Sequence, residues 1–107
     1  MDVWTEIKHL EGKTLRTLDR RKPFDVVGVT GNVVLVMPHE TGKERPIPWE
    51  SIENAYRRLV ATGQLTRSDI RADFSEFNPA YVAAILAELP GVRVSLKPIT
   101  LRFKNGE

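Results

Sequence analysis

The sequence predicts an α+β fold: a small N-terminal antiparallel β-sheet packed on a C-terminal three-helix unit that ends in a β-hairpin. Three observations carry this. Apolar residues recur mainly at every second position up to about Pro48, recur at helical spacing from Trp49 to Leu89, and return to strict alternation from Val92 onward. The 107 residues suffice for a single domain of two lobes, a β-rich lobe at 1–48 and a helical lobe at 49–107.

Taken in order, Val3, Trp4, Ile7 and Leu10 lie at helical spacing and stop at Gly12, which predicts a short first helix. Thr14 to Leu18 alternates, and Arg20-Arg21-Lys22-Pro23 interrupts it with charge and a proline. Phe24–Val29 and Val33–Met37 read as two strands. Gly31-Asn32 between them tolerates positive φ, and the pair reads as a hairpin. His39 to Gly42 marks another turn, leading into Lys43 to Ile47. Three or four short strands cannot bury two faces unaided, so this sheet should lean on a neighbouring helix or curl into a partial barrel. Pro46-Ile47-Pro48-Trp49 reads as a stiff bridge between the lobes, with Trp4 and Trp49 cementing them.

In the second half, Ile52, Ala55, Tyr56, Leu59 and Val60 form the stripe of an amphipathic helix, and Gly63 is its expected stop. Thr66 and Asp69 have the spacing of a capping box, with Leu65 and Ile70 as its staple, before a two-turn helix to about Asp73. Asn78 reads as the cap of a third helix, with Pro79 at its first position and Phe77 stapled to Val82. Val82, Ile85, Leu86 and Leu89 line one face of that helix. Asn78, Ala80, Tyr81, Ala84, Ala87 and Glu88 fall on the other. After Pro90-Gly91, two alternating runs change phase at Lys97-Pro98, which means a hairpin tip or a bulge, and the hairpin is the preferred reading.

The order helix, short helix, helix, β-hairpin over about 51–103 resembles a winged helix-turn-helix domain. The stretch Gly63 to Ile70 resembles that family's entry to its second helix, Ala80 to Leu89 its third helix, and Val92 to Phe103 its wing. The resemblance implies duplex DNA as partner, with the third helix in a major groove and the wing on the backbone. Yet no Arg or Lys occurs between Ser75 and Gly91, and direct base readout relies on such residues. What remains is contact with phosphates. The candidate residues are Arg20, Arg21 and Lys22 in the first turn, Arg67 and Arg71 on the second helix, and Arg93, Lys97 and Arg102 on the wing. For Arg20-Arg21-Lys22 a solvated turn is the simpler account. For the wing, charge that protects an edge strand explains the residues equally well.

A different class of function fits the same helices. An alanine-rich face around Tyr81, with Ala84 and Glu88, suits a protein partner or a homodimer, and Tyr81 would be its aromatic anchor. Charge does not choose between the two classes. The pI of 9.2 reflects a net charge of only +2, and residues 1–48 and 49–107 each carry eight cations and seven anions. No catalytic residue is nominated, and no enzyme, cofactor or metal is expected. His9 and His39 lie far apart without carboxylates at ligand spacing, there is no cysteine, and Gly42-Lys43 lacks the rest of a phosphate loop. Glu11-Gly12-Lys13 has the spacing of a nuclease acid-x-Lys pair but lacks the further acid on an earlier strand. No apolar run matches a signal peptide or a membrane helix, so the expected setting is cytoplasmic.

Overall fold

The computed structural model describes residues 2–104. The chain opens with α1 (Val3–Lys8), started by Asp2, whose carboxylate accepts from the Trp4 amide at 3.2 Å and the Thr5 hydroxyl at 2.8 Å. Four strands follow: β1 (Thr14–Arg16), β2 (Pro23–Val29), β3 (Val33–Pro38) and β4 (Arg45–Pro48). They pair as an antiparallel meander in chain order. Alternation along the strands sends Leu15, Phe24, Val26, Val34, Val36 and Ile47 inward. A bulge between Val26 and Gly28 shifts the phase of β2, exposing Val27 and turning Val29 into the core. Glu11 belongs to this bulge, since its carboxylate accepts from the Val29 amide at 3.2 Å. The β2–β3 turn is built differently from the Gly-Asn turn expected. Gly31 and Asn32 are not in the left-handed region; instead the Thr30 hydroxyl accepts from the Asn32 and Val33 amides and so folds the turn.

The second half begins with α2 (Trp49–Thr62), ended by Gly63 at φ +81° as its amide reaches the Leu59 carbonyl at 2.7 Å. Ile52, Ala55, Tyr56 and Leu59 are buried along it, but Val60, placed in the same stripe by spacing, is 41% exposed. Next come β5 (Gln64–Thr66), α3 (Arg67–Asp73), α4 (Pro79–Ala87), β6 (Val92–Ser95) and β7 (Thr100–Phe103). The strands form a second antiparallel sheet in the order β5-β7-β6. Sequence reading missed β5, because three residues are too few to show a period. The capping box is complete: Thr66 accepts from the Asp69 amide at 3.0 Å and Asp69 accepts from the Thr66 amide at 3.0 Å. The fold is α+β, with four helices and two antiparallel sheets among the described residues.

The most consequential difference lies at α4. Its first turn uses Pro79 as expected, but Asn78 makes no cap bond; its side-chain oxygen accepts from Arg45 at 3.1 Å. Phe77 is 81% exposed, so it is not stapled to the buried Val82. Five consecutive residues, Val82 to Leu86, are buried. A helix apolar on every side must be covered on every side. Here α2, α3, β1 and β6 all pack against it. Ala84 is therefore not the exposed contact residue expected from its position but a core residue, 2% exposed, whose small side chain permits close approach. Tyr81 is half-buried, its ring edge-on to Phe24 with centroids 5.0 Å apart. Only Glu88, the C-terminal cap, stays exposed. One hydrophobic cluster runs from Ile7 through both sheets to Leu101. Trp4 meets Trp49 edge-on at 4.6 Å, joining α1 to the start of α2 as expected.

Candidate anion-binding surfaces

The eight cations nominated from the sequence separate into groups. Thr17 accepts from the Lys22 amide at 3.0 Å, and its own amide donates to the Lys22 carbonyl, which closes the β1–β2 turn. That closure presents Arg20 and Lys22 toward α3. Arg67, the first residue of α3, reaches back across the junction, and its Nη1 donates to the Asp19 carboxylate at 2.5 Å. This ion pair stands between two neighbouring clefts, both of which it lines. The first, about 570 Å³, has Arg20, Lys22, His39 and Glu40 around a floor of Pro23, Pro38, Ala80 and Tyr81. The second, about 480 Å³, lies under the β6–β7 tip and includes Lys97. Arg20, Lys22, Arg67 and Lys97, which are up to 77 positions apart in sequence, thus border one continuous region.

Acids temper that region. Lys22 pairs with Glu40 at 3.0 Å, and His39 Nε2 lies 2.9 Å from Asp25. Partial burial would raise the Asp19 carboxyl, but the hydrogen bonds from Arg67 and from the Arg20 amide outweigh it and hold its pKa below the ordinary 3.8. Asp25 is also held low, first by the Thr14 hydroxyl at 2.6 Å and then by His39. Arg21 stands apart: it sits at φ +56°, and its carbonyl accepts from Arg16 at 2.9 Å. Arg71, one turn along α3 from Arg67, lies in a third cleft beside Asp73 and Glu76.

Arg93 and Arg102 make a separate group. In the register of the second sheet Arg102 lies directly opposite Arg93 on one side and Gln64 on the other, so the three cross the sheet in a row. Arg102 donates to the Gln64 side-chain oxygen at 2.5 Å. Among the described residues neither arginine forms an ion pair, and none of the three strands contains a carboxylate. Two features escaped sequence reading. One is Phe77, which a staple pattern placed inward. The other is the placement of Arg45: expected beside Arg20-Arg21-Lys22 on the sheet, it stacks over Tyr81 at 5.7 Å and holds Asn78.

Among the described residues no group of three or more His, Asp or Glu could hold a metal ion, and no helix is long and apolar enough to cross a membrane. No protein-family model, no curated protein and no solved structure matches the chain.

Proposed function

We propose that this protein binds the phosphate backbone of duplex nucleic acid through the outer face of its C-terminal sheet, and that its helical lobe is a winged-helix unit whose third helix has been turned to structural use. The order α2, β5, α3, α4, β6, β7, with the β6–β7 hairpin at its end, supports the assignment of the lobe. The burial of α4 argues against base readout, because a helix whose residues Val82 to Leu86 are all buried, with α2, α3, β1 and β6 against it, presents no continuous face to a groove. The observation that carries the proposal is the Arg93–Arg102 pair. Like charges directly opposite across two strands are destabilising, and here no acid on the sheet relieves them. A polyanion would. Lys97 at the tip extends the contact.

The test is fluorescence anisotropy with a random-sequence duplex across a salt series. Binding at low salt should weaken steeply as salt rises, with no preference among sequences. Changing Arg93 and Arg102 together to Gln should lower the slope of log K against log salt by about 2, since each lost phosphate contact removes about 0.9. No binding at low salt, or an unchanged slope in the double variant, defeats the proposal.

A second reading, association of two copies, is favoured by β6. This strand is a sheet edge without proline, and Val94 within it and Leu96 just beyond it are 38% and 55% exposed. The edge at β4, by contrast, carries Pro46 and Pro48. Light scattering at rising concentration decides it: a dimer that Val94→Lys dissolves supports the reading, and a monomer throughout removes it.

A further inference from the structure

Arg93 and Arg102 line neither of the clefts at the lobe junction, so those clefts are open to a separate role. We propose that the larger one binds a small molecule made of an apolar body and an anionic group, with Arg67 and Arg20 as the anion's partners and the Asp19–Arg67 pair as an internal competitor. Three features support this. First, the cleft lies where two lobes meet and holds about 570 Å³, within the size range of small-molecule sites. Second, its floor is apolar, formed by Pro23, Pro38, Ala80 and the ring of Tyr81, while its rim is charged. That division suits a ligand with one greasy and one charged end.

Third, the rim has donors to spare. Arg20 forms no ion pair among the described residues. Arg67 gives one N–H to Asp19, whereas a guanidinium carries five. Its remaining donors can hold a phosphate or carboxylate from either cleft. Lys22 is engaged by Glu40 and contributes mainly to the field. Counting the rim, Arg20, Lys22 and Arg67 stand against Asp19 and Glu40, a small positive excess. An arriving anion must therefore share Arg67 with Asp19, and the ligand and the lobe-joining ion pair are thermodynamically coupled.

The experiment is an NMR titration of the uniformly 15N-labelled full chain with phenyl phosphate, alongside inorganic phosphate. Saturable shifts are expected for the amides of Arg20, Arg67 and Tyr81, with phenyl phosphate binding tighter than phosphate. Asp19→Asn should tighten binding about threefold, since it frees Arg67 and removes a repelling charge, and Arg67→Gln should weaken it about tenfold. Both variants break the same ion pair, so any general loosening of the junction moves them in the same direction. Opposite signs mark the site. Same-direction changes, equal affinity for inorganic phosphate, or no saturable shift at these amides overturn the proposal. Binding should survive in the Arg93/Arg102 double Gln variant, which separates this site from the outer face of the sheet.

Discussion

At the scale of single residues, the side chains with the clearest jobs are polar ones that close local structure. Thr66 satisfies an otherwise orphaned amide at the start of α3 and receives Asp69 in return. Thr66→Ala should cost about 1 kcal/mol in urea unfolding, with the folded spectrum unchanged. Acid should act through the same groups. The backbone and hydroxyl of Thr66 hold Asp69 below its ordinary 3.8, and Asp19 and Asp25 are likewise lowered. A carboxylate with a lowered folded pKa binds its proton more readily in the unfolded chain. Its contribution is complete above 3.8 and is lost as pH falls toward the folded value. The urea midpoint should thus be insensitive to these three groups above about pH 5 and drop below about pH 4. Asp69→Asn should flatten that drop, which equilibrium unfolding across a pH series will show.

At the scale of elements, α4 sets what the fold permits. Val82 to Leu86 are all buried, and neighbours of different origin cover them: β1 from the first half, α2 and α3 from the second. Ala84→Arg should therefore abolish folding rather than weaken an association. A charge forced into this core without a partner costs more than about 4 kcal/mol, a large share of the about 5–15 kcal/mol that holds a domain together. Glu88→Arg, one turn later and exposed, should shift stability by less than about 0.5 kcal/mol. Circular dichroism of the two variants checks both. The contrast also shows what sequence could convey. Strands β2 and β3, helix α2 and the Thr66–Asp69 box were legible because period and cap chemistry are local. The covering of α4 was not, because alanines suit a solvent face and a crowded interface equally well, and only the return of the N-terminal sheet decides between them. The same holds for the clefts: Arg20, Arg67 and Lys97 were each nominated, but their meeting around Asp19 depends on tertiary contacts.

At the scale of the whole molecule, the continuity of the core makes a prediction about cooperativity. Ile7 and Phe24 from the first half share a cluster with Leu59, Ile85 and Leu101 from the second. Neither half offers a closed interior: the four-stranded sheet rests its inner face on the helices, and α4 would expose an apolar side without β1. Separating the lobes would uncover the apolar surface they share, at a cost of about 25 cal/mol per Å², so partial unfolding is disfavoured. The chain should unfold in one step. Two probes can tell. Trp4 and Trp49, the only tryptophans, meet at the lobe junction at 4.6 Å, so their fluorescence reports docking of the lobes, whereas far-ultraviolet circular dichroism reports helices and strands throughout. In urea the two transitions should coincide, with a common slope of about 1–3 kcal/mol per molar. Trp4→Ala removes the aromatic pair and should lower the midpoint through lost packing, about 2–3 kcal/mol for a half-buried ring, while leaving a single circular-dichroism transition. A fluorescence change that precedes the loss of secondary structure would mean that the lobes part first, and that the junction with its clefts is an opening interface rather than part of one core.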